Sequence, residues 1–353
     1  IVAGTLFVLP SAIILWALSF LYVTYGDVKW IAAVFEGLKP AVLAIIAAAG
    51  LRLGKRALQN EVSWAIALLA FAGLFFFKLP FPILVLGAGV AGLIGGRFWK
   101  EKFVVSASRT GPNTAASVLG DDAAAPAHTK PSLARAGRVC LICLTLWWTP
   151  VLALGAWLGF DHTFVKEGLF FSKAAMVTFG GAYAVLPYVS QQAVEQHGWL
   201  TAGQMLDGLG LAETTPGPLI MVLQFVGFLG AWCSHAPLTP LAAGTLGAFI
   251  TTWTTFVPCF LWIFLGAPHV EQLRGNAKLT AALSAITAAV VGVVLNLAVW
   301  FGVHVLFPDG GPINWFGVGV CLVAFAGIVR WKWDIIPVVL GAGTLGALHR
   351  LVG

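Results

Sequence analysis

The sequence predicts an all-α polytopic membrane protein, and three observations support this fold class. Hydrophobic residues make up 59% of the 353-residue chain, charged residues make up only 10%, and the mean hydropathy is +0.92. These values lie outside the range of soluble globular domains. Apolar runs of about 20 residues, long enough to cross a bilayer as helices, recur along the chain. Runs such as 281–297 are apolar on every face, which excludes the alternating pattern of a membrane β-barrel.

The apolar runs predict eleven spans near 2–24, 31–51, 62–78, 80–97, 138–160, 168–189, 205–234, 239–265, 279–307, 313–329 and 335–350. Several tryptophans fall at their ends, where the amphipathic indole ring prefers the headgroup level. These are Trp30, Trp99, Trp199, Trp315, Trp331 and Trp333.

One segment, 98–137, interrupts the apolar pattern. It is rich in Ser, Ala, Pro and Gly and has no periodicity, so we predict a flexible polar linker. Because Lys and Arg accumulate in cytoplasmic loops, its charge predicts that the linker is cytoplasmic. The linker and its borders carry Arg97, Lys100, Lys102, Arg109, Lys130, Arg135 and Arg138 against Glu101, Asp121 and Asp122.

Counting spans outward from the linker assigns a side to every other loop. Only Lys29, Lys78 and Lys166 fall outside, so the net charge of +6 reflects membrane topology. Nucleic acid is not predicted as a partner, because the cations are spread over short loops and form no single basic patch. The cations predicted inside are Arg52, Lys55, Arg56, Arg274, Lys278, Arg330 and Lys332.

Two apolar segments of the first half recur in the second half in the same order. Residues 2–26 match 242–266 at Ala-Gly-Thr-Leu and at a final Gly, and VLGAGVAG at 85–92 matches VLGAGTLG at 339–346. The partner of the first span is the eighth, seven spans later, so the two copies cross the membrane in opposite directions. Such an inverted repeat is typical of secondary transporters.

The chain is therefore predicted to be an inverted-repeat transporter with broken helices, surrounded by the lipid bilayer. Its parts are a first transporter repeat at 1–97, the cytoplasmic linker at 98–137, an extra helix at 138–160 that inverts the second copy, and a second transporter repeat at 161–353. The first repeat is expected to be incomplete at its N-terminus, because residues 168–234 have no counterpart before Ile1.

Glycine and proline interrupt two apolar segments of the second repeat. Residues 178–189 read TFGGAYAVLPYV, and residues 208–219 read GLGLAETTPGPL. Helix breaks leave backbone N–H and C=O groups unpaired, which lipid forbids unless those groups line a protein cavity. These two segments are therefore the predicted binding site.

Together with QFVGF at 224–228, the two segments resemble the signature region of the chromate ion transporter family. The resemblance covers nearly all of 165–353 and, more weakly, 1–97. It implies export of chromate, a tetrahedral dianion like sulfate, driven by protons across the bacterial cytoplasmic (inner) membrane. The residues that match the family segments are Gly180, Gly181, Tyr183, Pro187, Glu213, Thr214, Thr215, Pro216, Gly217, Pro218 and Gln224.

The charged candidates differ in how strongly the sequence supports them. Glu213 lies within a predicted span, where an acid costs about 2.5 kcal/mol or more, so we assign it proton coupling. Asp207 is either functional or solvated near the membrane surface. Lys173 is a candidate to attract the oxyanion. Gly180 and Gly181 either allow close helix packing or line a cavity with their backbone.

A specific hypothesis concerns the Pro-Gly-Pro segment at 216–218. We expect it to break a helix, so that a half-helix beginning near Pro218 points its N-terminus at the oxyanion. The N–H groups of Leu219 and the two residues after it would be free donors, and Thr214 and Thr215 would add hydroxyl donors.

Other function classes have weaker support. An anion channel or a sulfate permease would use the same architecture, whereas an enzyme would need a catalytic motif that the sequence lacks. No metal or cofactor is predicted, since the histidines are scattered and Cys140-x-x-Cys143 has no second pair. A homodimer is compatible with the sequence, which does not specify the oligomeric state.

The predicted topology is testable at the linker. A cysteine at Ser117 should be protected from a membrane-impermeant thiol reagent in intact cells and labelled in inverted vesicles. Labelling from outside intact cells would contradict the cytoplasmic assignment.

Overall fold

The computed structural model describes residues 2–103, 133–178, 181–269 and 276–352. Within these ranges the chain forms helices and turns and no β-strand, which confirms the all-α prediction. Most of the predicted linker and Gly180 lie outside the described residues. The helices are α1 (Val2–Tyr25), α2 (Lys29–Ala57), α3 (Glu61–Phe75), α4 (Phe81–Phe98), α5 (Lys100–Phe103), α6 (Leu133–Leu158), α7 (Thr163–Val177), α8 (Ala182–Gln191), α9 (Ala202–Thr214), α10 (Val222–Cys233), α11 (Pro240–Gly266), α12 (Ala277–Leu306), α13 (Trp315–Arg330) and α14 (Ile335–Val352).

Six of these helices, α1, α2, α4, α6, α11 and α12, are long and apolar enough to cross a membrane. Their large exposed side chains are mainly Leu, Ile, Val, Phe and Trp, as expected for surfaces that face lipid. Five of the six tryptophans predicted at span ends are 48–73% exposed. The exception is Trp199, which is only 7% exposed and packs inside the protein.

Two predicted spans are not continuous helices. In the segment 168–189, α7 ends at Val177 and α8 begins at Ala182; in the segment 205–234, α9 ends at Thr214 and α10 begins at Val222. Gly181 has a φ of +105° and Gly217 a φ of +132°, conformations that L residues rarely adopt. The prediction of broken helices is confirmed, and the prediction of two single spans is wrong.

Each broken segment folds back on itself as a helical hairpin. Hairpin 1 comprises α7, α8 and a π-helical turn, Gln192–Gln196; hairpin 2 comprises α9, a 3₁₀ turn, Leu219–Met221, and α10. The beginning of α7 and the ends of both hairpins line one cavity, which contains Lys166, His197 and Ser234. The arms are roughly 20 Å long, shorter than the bilayer core of about 30 Å, so the tips lie within the membrane.

The hairpins explain why charge counting could not detect this error. Two spans and two re-entrant hairpins both return the chain to the side from which it came. The two topologies differ only in the side on which they place the segment between the hairpins, residues 190–201. In the structure this segment lies at the end of the molecule that contains Lys166, which is predicted to be outside.

The hairpins form the centre of the fold. Every residue of α10 from Val222 to Ala231 is buried, with α11, α1, α9 and α7 packed against it. Around this centre, one helix of each predicted repeat packs against two helices of the other repeat. The first-repeat helix α2 contacts α13 and α14, and the second-repeat helix α12 contacts α3 and α4. The helix α6 packs against α7 and α11.

Small residues allow these crossings to be close. A Cβ added to Gly346 of α14 would overlap the backbone of α2 at Ala33 and Gly37. Correspondingly, a Cβ on Gly92 of α4 would overlap α12 at Ala281 and Ala285. Gly92 and Gly346 are the final glycines of the two matched VLGAG segments.

Two further observations agree with an inverted repeat. Gly4 of α1 packs beside Phe260 of α11, while Trp16 donates a 2.9 Å hydrogen bond to Thr245, so the two helices are antiparallel. Extending the VLGAG match backwards pairs Lys78 with Lys332, and these are the only non-glycine residues with positive φ among the described residues, at 48° and 56°. The duplication itself stays a prediction.

The hairpin topology has a direct test. In a cysteine-free background, Gln196→Cys should react with an impermeant thiol reagent from the same side as Lys166→Cys and from the opposite side to Lys332→Cys. Two continuous spans would instead place Gln196 with Lys332, so that result would contradict the hairpins.

Candidate functional site

The tips of the two hairpins meet at one hydrogen bond. Tyr183, at the beginning of α8, donates its hydroxyl hydrogen to Oε1 of Glu213, in the last turn of α9. Both side chains are partly buried. A phenol that donates to a carboxylate replaces part of the hydration that the acid loses within the membrane. The two predicted signature segments are therefore brought together in space.

Glu213 also lines a cavity of about 870 Å³, which we call the vestibule. Its polar residues are Arg52 and Lys55 from the end of α2, Lys332 and Asp334 from the loop between α13 and α14, and Glu213. Three basic side chains thus face two acidic ones. The remaining wall is mostly apolar, with Trp333 and residues of α13 and α14. All three cations had been predicted to lie on the cytoplasmic side.

The local fold explains how these cations are positioned. Lys55 and Arg56 lie in the last turn of α2, where cations interact favourably with the negative end of the helix dipole. Lys332 lies in a tight turn with a left-handed backbone, which directs the chain from α13 into α14. Guanidinium and ammonium groups that converge on a wet cavity form charge-assisted hydrogen bonds to oxyanions.

Several predicted residues near the break have partners of their own. The Thr214 hydroxyl donates to Gly210 O at 3.1 Å and the Thr215 hydroxyl to Leu211 O at 2.7 Å. In this conformation neither hydroxyl is free to donate to an anion. These bonds satisfy carbonyls at the end of α9 where the helix stops.

The Pro-Gly-Pro segment breaks the helix as predicted, but it does not line the vestibule. Gly217 faces α1, and a Cβ at this position would lie 2.6 Å from the Cβ of Ser11. The Met221 N–H donates to Pro218 O at 3.0 Å and is therefore not a free donor. Binding of an anion at Leu219 stays a prediction.

The other predicted residues lie apart from the vestibule. Gln224 is buried and bonded on both sides: its amide donates to Ala12 O at 2.7 Å and accepts from Thr252 Oγ1 at 3.1 Å. Gln224 thus connects α10 to α1 and α11. Lys173 lies on the exposed face of α7. A Cβ on Gly181 would meet nothing within 4 Å, so its backbone conformation, and not close packing, explains this glycine.

Asp207 is not solvated. It is 3% exposed, accepts a 2.8 Å hydrogen bond from Tyr22 Oη and lies 3.8 Å from Lys39 Nζ. The cluster is not apparent from the sequence, because Tyr22 and Lys39 belong to spans about 170 or more residues away from Asp207. The feature of the sequence that could have revealed the cluster is Lys39, a lysine within the apolar run of α2. Among the described residues, no group of three or more His, Cys, Asp or Glu could hold a metal ion.

Comparison with protein families identifies the chain. The family model described as chromate transporter matches residues 1–93 and 166–347. The chain belongs to this family. The assignment confirms the resemblance seen in the signature segments and the expectation of a transporter and not an enzyme. The unmatched segment between the two blocks contains the predicted linker and α6.

Individual relatives agree with this assignment. A chromate transport protein of Pseudomonas aeruginosa is 29% identical over 99% of this chain and 74% of its own length. A chromate transport protein of Cupriavidus metallidurans is 28% identical over 84% of this chain and 63% of its own, and a probable chromate transport protein of Synechococcus elongatus is 27% identical over 85% and 65%. The chain thus spans less than two thirds of the length of each of these last two relatives. No solved structure matches it.

The contact between Lys39 and the buried Asp207 gives a stability prediction. Lys39→Met should destabilise the protein by about 1–3 kcal/mol, because it removes a cation that lies beside a buried carboxylate but whose own side chain is 30% exposed. Adding Asp207→Asn should recover most of the loss. The measurement is thermal unfolding of the purified protein in detergent.

The matched control is the pair Glu36–Arg350, whose side chains are 57% and 49% exposed at a distance of 3.0 Å. Glu36→Gln should cost less than about 1 kcal/mol, because water solvates both charges. A cost for Lys39→Met no larger than that of the control would show that the Lys39–Asp207 pair is not important for stability.

Proposed function

We propose that this chain forms the oxyanion-transporting part of a protein that exports chromate from the bacterial cytoplasm in exchange for protons. The observation that carries the proposal is the meeting of the hairpin tips at Glu213, on the wall of a vestibule with three cations. Family membership and the names of the curated relatives support chromate as the substrate.

The first step is capture of the dianion by the vestibule. Arg52, Lys55 and Lys332 attract the anion, while bulk water can still enter a cavity of this size. A partly hydrated site suits transport, because the ion must also leave. The cations come from helices far apart in the chain, so bound chromate would contact both predicted repeats.

The second step depends on the charge of Glu213. When this carboxylate is ionised, the vestibule has three positive and two negative groups. When it is protonated, the vestibule has three positive groups and one negative group. Coulomb's law gives roughly 5 kcal/mol of repulsion between a carboxylate and a dianion about 6 Å away at an effective dielectric constant of about 20. Protonation of Glu213 therefore favours occupation by the dianion. For exchange, this proton arrives from the external side and leaves to the cytoplasm, and its loss then repels the dianion toward the external face.

The same proton affects the contact between the hairpins. An ionised Glu213 is the stronger acceptor for the Tyr183 hydroxyl, because hydrogen bonds to charged groups are stronger than bonds between neutral groups. Protonation therefore weakens the connection between the tips at the moment when the anion binds. Separation of the tips would open a path from the vestibule toward the opposite face.

Transport into inverted vesicles that contain the full-length protein tests the proposal. With the vesicle interior acidic, labelled chromate should accumulate, and a protonophore should abolish the accumulation. Glu213→Gln should remove the dependence on the pH gradient. Arg52→Gln and Lys332→Gln should each raise the half-saturating chromate concentration about tenfold, equivalent to about 1.4 kcal/mol.

Arg56→Gln is the matched control, because Arg56 lies about one turn after Arg52 at the end of α2 and does not line the vestibule. Its half-saturating concentration should stay within about twofold of wild type. Equilibration of chromate without accumulation would indicate a channel instead. Preferential uptake of sulfate would indicate a sulfate permease.

A further inference from the structure

A second carboxyl group lies in the interior, away from the vestibule. Glu167 of α7 is 0% exposed, and neither of its carboxyl oxygens has a hydrogen-bond partner among the described residues. It lies between α10 and α11. The sequence does not distinguish Glu167 from a solvated acid, because it adjoins Lys166 at a predicted span end.

The surroundings of Glu167 are small and apolar. A Cβ on Gly230 of α10 would lie 2.8 Å from its Oε1, and a Cβ on Gly247 of α11 would lie 3.0 Å from its Oε2. The two glycines thus provide the space that the carboxyl group occupies. Thr251, on α11 near the same crossing, also has a buried hydroxyl without a partner among the described residues.

No cation contacts this carboxyl group within the described part of the chain. The neighbouring wall is the indole ring of Trp199, on which His197 stacks with ring centroids 4.2 Å apart. An ionised carboxylate in such a place would have lost its hydration and gained nothing in return, which is strongly unfavourable. This environment favours the neutral, protonated form of Glu167 over the ionised form.

One cavity lies close to Glu167 and can hold water. A cavity of about 350 Å³ is lined by Thr163, Lys166, Gln196, His197, Gly198, Trp199, Gly230, Cys233 and Ser234. Gly230 lies against Glu167, and the side chain of Trp199 lies against the same glycine. This cavity lies at the opposite end of the hairpins from the vestibule, on the face predicted to be outside. The titratable groups on its wall are Lys166, His197 and Cys233.

We propose that Glu167 is a proton-binding site, loaded from the external cavity, that supplies the driving ion for transport. The ligand is a proton: a hydronium ion in the cavity transfers it to the carboxylate, an O–H bond forms, and water remains. This inference deepens the proposed function and rests on it. Glu213 would respond to the cytoplasmic side and Glu167 to the external side.

Packing links this site to the hairpin tip. Glu167 belongs to α7, the first arm of hairpin 1, and Tyr183 begins its second arm. When Glu167 is neutral, α7 can stay packed on Gly230 and Gly247. When it loses its proton, the carboxylate must be hydrated, which requires α7 to shift toward the cavity. Proton loss at one end of hairpin 1 is thereby transmitted to the contact with Glu213.

The test separates net transport from exchange. Full-length wild type and Glu167→Gln are compared in inverted vesicles for accumulation driven by a pH gradient and for exchange of labelled chromate at equal pH. A permanently neutral amide should keep exchange within about twofold and reduce driven accumulation at least tenfold. Glu195→Gln is the control, because Glu195 is an exposed acid near the same end of hairpin 1.

The outcomes distinguish the two proposals. If wild type shows no accumulation driven by the pH gradient, the proposed function fails. If wild type accumulates chromate and Glu167→Gln does so equally well, the proton site is overturned while the proposed function stands. Loss of both exchange and accumulation in a folded Glu167→Gln protein would assign Glu167 a structural role and also overturn the inference.

A second measurement uses the unmodified protein. Dicyclohexylcarbodiimide, an apolar reagent, reacts with protonated carboxyl groups in membrane proteins, and mass spectrometry locates the modified peptide. Glu167 should be modified at neutral pH, with a yield that falls as the pH of the external side is raised. Absence of modification at Glu167 under conditions that modify other membrane carboxyl groups would contradict the proposal.

Discussion

The hydrogen bond between Tyr183 and Glu213 is the contact on which the central part of the molecule depends. A bilayer tolerates interrupted helices only where the protein itself surrounds the free backbone groups. Here two interruptions face each other, and a phenol and a carboxyl group join them. The α9 terminus is further satisfied by the hydroxyls of Thr214 and Thr215. At the end of α9, carbonyl groups are thus paired within the protein.

Small side chains allow this arrangement to be compact. Lipid provides no hydrophobic force between helices, so close approach of backbones must supply the packing energy. Gly92 and Gly346 serve this purpose at the two reciprocal crossings, and Gly230 and Gly247 do so around Glu167. The same pattern of glycines both tightens the periphery and creates room for a buried acid. Helix contact and candidate chemistry therefore depend on the same residue type.

The sequence was sufficient for the fold class and for the long spans, because composition and apolar length are properties of a single chain segment. It was also sufficient for the two helix interruptions, before Ala182 and after Thr214, where glycine and proline determine the backbone locally. It could not show that these segments return as hairpins. The positive-inside rule reports only which side each charged loop occupies, and the loop between the hairpins has too few charges to decide.

The site residues also fall into those that the sequence reveals and those that only the tertiary structure reveals. Glu213 and Tyr183 could be found because each interrupts an apolar run near a break. Arg52, Lys55 and Lys332 were assigned only to topology, since ordinary cytoplasmic cations have the same signal. Asp207 and Glu167 lie near predicted span ends, where solvation is the usual state, and only the tertiary packing shows that both are buried. Contacts between distant segments are not encoded in local periodicity.

The two hairpins are hydrogen-bonded to different neighbours. Hairpin 1 accepts side-chain bonds from Trp147 of α6 and Trp300 of α12, whereas hairpin 2 is bonded to α1 and α11 through Asp207 and Gln224. Within the described residues, the tyrosine–glutamate contact is the only side-chain hydrogen bond between them.

One such bond to a charged group contributes about 1.5–3 kcal/mol, so its loss changes the ratio of joined to separated hairpins by roughly ten- to one-hundred-fold. In the proposed mechanism protonation of Glu213 weakens this bond, and a change of up to this size is enough to interchange the major and minor populations of two states that are close in free energy.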